Sequence, residues 1–249
     1  MKKITYIVLG IALVGLASCY KKDNYDGPDS SITGRIIDSY TGQPLLSSQN
    51  DWQLRVWERS WTASTVVNTS IPIKQDGSYN NSKMFSGTYD ISLNTGPFFP
   101  LDTAKGVALN KGGGLTKDFT VTPYVQVIDF TPTLVGTNLT FTFRLKAPKR
   151  TGMPDLYDIK GYLSLTQFCG ESNYINISEY TTNVAGRVGI INARKSWIAQ
   201  FGDVDTSPVL TLGPYVVKSG YIYQVRVGAN TNAGNRPFNY SEIKTVVVP

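Results

Sequence analysis

Leu139-Thr140-Phe141-Thr142-Phe143-Arg144-Leu145 alternates apolar and polar side chains without a break, placing four apolar groups on one face. That period of two belongs to a half-buried β-strand and excludes a helix over the same residues. Similar segments recur. Ile32–Asp38, Trp52–Glu58, Ile71–Lys74, Gly87–Leu93 and Leu115–Val121 precede it; Val125–Phe130, Tyr162–Phe168, Val188–Ile191 and Val209–Leu212 lie around and beyond it. Tyr221–Val227 and Ile243–Val248 read as a last hairpin. Thr41-Gly42-Gln43-Pro44 is a turn, and Asp76-Gly77 reads as the tip of a hairpin. No stretch carries a helical period. Apolar residues make up 41% and charged residues 17% of 249 residues, which fits folded cores and not a disordered chain. The expectation is an all-β protein with a domain boundary near Thr122-Pro123. Residues 123–249 read as an immunoglobulin-like or fibronectin-like sandwich.

The first 28 residues are of another kind. Lys2 and Lys3 precede an apolar run, Ile4–Ala17, that is shorter than the roughly 20 residues of a membrane span. It fits the apolar core of a secretory signal. Leu16-Ala17-Ser18-Cys19 then resembles the lipobox of bacterial lipoproteins. That resemblance implies cleavage after residue 18 and acylation of Cys19. Tyr20 stands where an Asp would signal inner-membrane retention, so the expected location is the outer membrane, at the cell surface. Residues 19–28 form a polar tether. Loss of residues 1–18 removes Lys2 and Lys3 and no acid, lowering the formal charge from +6 to +4.

The sequence has no histidine. This excludes Ser-His-Asp and Cys-His catalysis, His-ligated zinc and a histidine pH switch. With Cys19 lipidated, Cys169 has no disulfide partner and reads as a small buried apolar group. The acids fall mostly in turns, and no pair has the context of a glycosidase site. Asp76, or Asp203 with Asp205, could approach a calcium ion, but neither stretch matches an EF-hand loop. Gly112-Gly113-Gly114 lacks the Lys-Ser/Thr of a phosphate loop. Basic residues are scattered, so no nucleic-acid footprint is present. We expect no enzyme activity, no metal and no cofactor.

The aromatic residues offer a binding surface instead. Alternation puts Trp52, Leu54 and Val56 on one face, and Gln53, Arg55, Trp57 and Arg59 on the other. Trp61 lies just beyond. Arg55, Trp57, Arg59 and Trp61 are therefore the candidate ligand or partner site. Pro97-Phe98-Phe99-Pro100 is a second exposed apolar candidate.

Gly34…Asp38…Thr41-Gly42-Gln43-Pro44-Leu45, then Asp76-Gly77-Ser78-Tyr79 and Gly87-Thr88-Tyr89-Asp90-Ile91, resemble the transthyretin-like or carboxypeptidase-regulatory sandwich over residues 29–122. The expected architecture is therefore two tandem β-sandwiches. Cys19, Asp23-Asn24-Tyr25-Asp26-Gly27-Pro28 and Ile32–Asp38 together resemble Bacteroidetes outer-membrane lipoproteins of unknown function. Such proteins typically lie beside SusC/SusD-like glycan importers. The resemblance implies a non-catalytic accessory to glycan capture or uptake, with the membrane, an importer and a glycan as partners. The alternative is a structural or adhesive surface protein. Asp102-Thr103-Ala104 resembles the O-glycosylation signal of exported Bacteroidetes proteins, which would modify Thr103.

Overall fold

The computed structural model describes residues 27–60, 66, 68–93, 95–181, 183–184 and 187–249. Its strands form four sheets, two before residue 122 and two after it. The first group comprises β1 (Ser30–Asp38), β2 (Gln53–Glu58), β3 (Asn68–Pro72), β4 (Ser78–Met84), β5 (Gly87–Ser92), β6 (Ala104–Leu109), β7 (Gly114–Thr116) and β8 (Phe119–Val121). One sheet has the order β4-β1-β7, with β8 also paired to β1; the other has the order β3-β2-β5-β6. The predicted alternation of β2 is observed: Trp52, Leu54 and Val56 are buried while Gln53, Arg55 and Trp57 are half-buried. Ile32, Ile36, Tyr79 and Ile91 complete the core between the sheets.

The second group comprises β9 (Gln126–Val135), β10 (Asn138–Lys146), β11 (Leu156–Ser164), β12 (Asn183–Val184), β13 (Arg187–Val188), β14 (Ile190–Lys195), β15 (Leu210–Val216), β16 (Ile222–Thr231), β17 (Phe238–Tyr240) and β18 (Lys244–Val247). Two short helices, α1 (Ser178–Thr181) and α2 (Trp197–Phe201), interrupt the strands. The sheets run β12-β13-β15-β10-β9 and β14-β11-β16-β17, with β18 on β16. Leu139, Phe141, Phe143 and Leu145 of β10 all point into the core, against Leu163, Val225 and Val227. The protein is thus an all-β protein built of sandwiches.

Several sequence expectations change; Leu115–Val121 is two strands, β7 and β8, and Val188–Ile191 divides between β13 and β14 of different sheets. The strand expected at Tyr162–Phe168 is β11, which begins and ends earlier. Past Ser164 the backbone turns on its own side chains. Thr166 N donates to Ser164 Oγ at 3.1 Å and Phe168 N to Thr166 Oγ1 at 3.3 Å, which competes with the sheet ladder. Asp76-Gly77 does not close a hairpin, because β3 and β4 belong to different sheets. Gly77 has φ +77°, and a Cβ there would lie 2.5 Å from the Leu45 carbonyl oxygen. Glycine is needed at this crossing for both reasons. Pro97–Pro100 is not an exposed patch. Phe98 is buried edge-on against Trp52, with ring centroids 5.3 Å apart, and Phe99 packs on Tyr124 at 4.9 Å.

Candidate functional site

The outer face of the β11–β16–β17 sheet does not meet solvent over its whole length. Tyr162 lies opposite Arg226, and Gly228 opposite Tyr240. The segment Leu46–Asp51 of the first sandwich covers these side chains. Arg226 Nη2 donates to Ser47 O at 2.7 Å, and its guanidinium lies 3.7 Å from the centre of the Tyr240 ring. Arg226 is fully buried, which pushes its pKa down; its Nε and Nη1 have no protein acceptor among the described residues. Asp51 Oδ2 accepts from Phe238 N and from Tyr240 Oη, each at 3.3 Å. Burial pushes the Asp51 carboxyl up to about 6, with those two hydrogen bonds opposing the shift. Ser172 N donates to Ser48 Oγ at 3.1 Å, and Gln126 Nε2 to Asp38 Oδ2 at 2.5 Å. The two sandwiches are therefore joined through a polar seam as well as through the rings of Tyr162, Phe238 and Tyr240.

Beside this seam opens a cleft of about 590 Å³. Leu46, Phe168 and Ile243 supply apolar surface; Gln49, Asp76 and Glu242 supply polar groups. Gln75 holds the Phe168 loop from the other sandwich. It accepts from Cys169 N at 2.9 Å and donates to Gln167 O at 3.0 Å, fixing the backbone on both sides of the ring. Asp76 is tied in turn. Burial acts to raise its pKa, but donation from Ser78 Oγ at 2.7 Å and Ser78 N at 3.0 Å, with Lys74 nearby, holds it below the usual carboxylate range. The cleft thus pairs an aromatic face with amides and a fixed carboxylate. That combination suits a ligand with apolar ring faces and many hydroxyls. A second concavity of about 470 Å³ shares Leu46, Asp76 and Glu242 and continues toward Asp38 and Gln126.

The residues singled out from the sequence lie elsewhere. Arg55 and Trp57 project from the outer face of β2, with Arg59 directly after the strand. Trp57 is half-buried between Asn68 and Asp90 on the neighbouring strands. Arg59 Nε contacts Asp90 Oδ2 at 2.8 Å, so its charge is already compensated. Asp90 also accepts from Gly106 N at 3.1 Å, and these contacts lower its pKa. Trp61 and Cys19 lie outside the described residues. Thr103 is half-buried in the loop leading into β6, an edge strand. Cys169 is buried, and burial pushes its thiol up to about 12, far from reactivity. Asp203 and Asp205 are both bound by Arg150. Sequence reasoning missed the cleft because Gln75 of the first sandwich meets Gln167 and Cys169 of the second across 92 and 94 residues of chain. The one local signal was the Asp76-Gly77-Ser78 turn.

The first sandwich is similar to a known domain. Residues 30–122 match the N-terminal domain of a protein family of unknown function, DUF3823. Solved structures extend the likeness beyond that domain. A DUF3823 protein from Bacteroides uniformis, 22% identical, superposes with a TM-score of 0.69 over 89% of this chain and 100% of its own. One from Parabacteroides merdae is 20% identical, with a TM-score of 0.61 over 89% and 100% of the two chains. A third, from Bacteroides uniformis and described as a proposed carbohydrate binding protein, is 25% identical with a TM-score of 0.67, again over 89% and 100%. Those structures share the fold of both sandwiches seen here. No functionally curated protein matches the chain.

Proposed function

We propose that this chain is a non-catalytic, carbohydrate-binding surface lipoprotein of the DUF3823 kind. In this reading Cys19 carries the lipid that holds it to the outer membrane, and the cleft between the sandwiches takes the glycan. The observation that carries it is the cleft, where Phe168 stands among Gln49, Asp76 and Glu242. A pyranose has apolar C–H faces for the ring and hydroxyls for the amides and carboxylates. The carbohydrate-binding description of a structural relative that spans both sandwiches supports the same reading. Binding without cleavage fits Asp76, which Ser78 holds ionised and so unsuited to protonating a leaving group. Passing a captured glycan to a SusC/SusD-like importer is the role that best suits such a tethered binder.

The test is titration of the mature protein with a panel of neutral and acidic polysaccharides. Phe168→Ala should weaken the best binder about tenfold, the loss expected for one stacking contact of 1–2 kcal/mol. Trp57→Ala should change it less. Equal affinity of wild type and Phe168→Ala would remove the cleft from consideration. Release of Cys19→Ala from membranes checks the anchor, and co-purification of a SusC/SusD-like pair with wild type checks the importer role.

A further inference from the structure

Away from the cleft, at one end of the second sandwich, the β11 ladder is irregular on both sides. Leu156 and Asp158 of β11 face Lys195 and Asn192 of β14, so β14 has one residue too many, and Arg194 takes φ +46° there. On the other side Leu156 and Ile159 face Thr231 and Ala229 of β16, so β11 has the extra residue. The Asn230 side chain fills that second gap. Its Oδ1 accepts from Asp158 N at 2.8 Å, and its Nδ2 donates to Arg236 O at 3.0 Å, fixing the loop that carries Arg236. Arg236 N donates to Ala233 O at 2.8 Å, and Arg236 has φ +59°.

The two bulges bring Arg194 and Arg236 to one ring. Their guanidinium carbons lie 4.6 and 3.9 Å from the centre of Tyr157. Asp158 lies 3.9 Å from Arg194 Nε and interacts electrostatically with both arginines, although Arg236 makes no close ion pair among the described residues. Both arginines are exposed. A left-handed backbone is unfavourable for Arg and cheap for Gly or Asn, so both positions hold Arg against local preference. Stacking on Tyr157 removes rotamer freedom from both exposed side chains, and Arg194 also approaches Asp158. Two exposed guanidinium groups held beside one ring offer charge-assisted donors to an oxyanion.

We propose that Arg194, Arg236 and Tyr157 form a binding site for the anionic group of an acidic glycan, a uronate carboxylate or a sulfate ester. That the anion is borne on a sugar rests on the glycan reading above; that the site takes an oxyanion rests on the guanidinium pair alone. The chain would then hold neutral sugar units in the cleft and select acidic chains at this second point.

The experiment compares wild type, Arg194→Asn/Arg236→Asn and Phe168→Ala in binding polygalacturonate, dextran sulfate and neutral dextran. Asn accepts the left-handed backbone, so the double variant should keep or raise the thermal midpoint. Its affinity for an acidic polymer should fall about tenfold per arginine lost, while its binding of neutral glycans stays unchanged. Polygalacturonate against dextran sulfate tells a carboxylate site from a sulfate site. Side-chain Nε–Hε resonances of Arg194 and Arg236 should also move with millimolar D-glucuronate or glucose 6-sulfate and not with glucose. If neither anion moves them, or the double variant binds acidic polymers like wild type, the proposal is overturned, whatever happens at the cleft. If they move while Phe168→Ala leaves all glycan binding intact, the anion site stands and the cleft reading falls.

Discussion

Gly34 shows how one atom can set a fold. Along β1 it faces the segment between β7 and β8, which pairs with β1 in parallel. A Cβ on Gly34 would lie 2.0 Å from the Lys117 carbonyl oxygen and 2.8 Å from Tyr79 Oη. The Tyr79 hydroxyl donates to that same carbonyl, and Lys117 N donates to Thr33 O at 2.9 Å, so neither neighbour is free to retreat. Burial, with Asp118 adding to it, raises the Tyr79 pKa well beyond its usual value, and the phenol stays a donor. Gly34→Ala must therefore push backbone against backbone, which costs about 3 kcal/mol, the upper part of the overpacking range. Urea unfolding should show a midpoint lowered accordingly, whereas Gly42→Ala, with open space around it, should lose only what its φ of +68° demands. Equal midpoints for Gly34→Ala and wild type would mean that β1 and Lys117 can separate freely.

At the scale of elements, legibility followed solvent exposure. β2 and β10 have one wet face and one dry face, and their alternation gave both their extent and their orientation. β11 is buried on both faces near its end, because the first sandwich covers its outer side, so no period of two survives there to mark its bounds. The cleft was illegible for a related reason: Gln75 and Phe168 meet only once both sandwiches are in place. The sheet edges carry devices against further pairing. β3 ends in Pro72, β9 contains Pro132 and Asp129 at φ +56°, β6 bulges at Gly106 and β14 at Arg194. Edges interrupted in this way resist strand addition, which weighs against a fibre-forming role. Arg226 on β16 yields a prediction at this scale. Its charge is buried with two nitrogens unpaired by protein, so Arg226→Met should leave stability within about 1 kcal/mol of wild type or raise it. Arg226→Ala leaves a void under Ser47 and Tyr240 and should cost about 3 kcal/mol. If Met costs as much as Ala, the guanidinium's contacts to Ser47 and Tyr240 matter more than its desolvation.

For the whole molecule, the seam decides whether two sandwiches behave as one body. Asp51 belongs to the first sandwich and takes its hydrogen bonds from Phe238 and Tyr240 of the second. Tyr240 Oη in turn accepts from Glu171 N at 3.2 Å, and Glu171 binds Lys160 at 3.0 Å and Tyr162 at 2.7 Å. The Asp51 carboxyl titrates at 3.8 in an open chain and at about 6 in the seam. Between those values the folded chain holds the proton that the unfolded chain has released. The stabilisation is therefore complete below about pH 4 and is lost as pH rises through about 6, a swing of about 3 kcal/mol for this group alone. Asp51→Asn keeps an acceptor for Phe238 N–H and Tyr240 O–H while removing the charge. Its stability should match wild type near pH 4 and exceed it above pH 6. Urea midpoints of both proteins at about pH 4 and about pH 7.5 make the comparison. A difference between the two proteins that does not change with pH would show that the seam leaves Asp51 as acidic as it is in water. It would then follow that the two sandwiches are held by the Tyr162, Phe238 and Tyr240 rings and the neutral hydrogen bonds, with no contribution from burying this carboxyl.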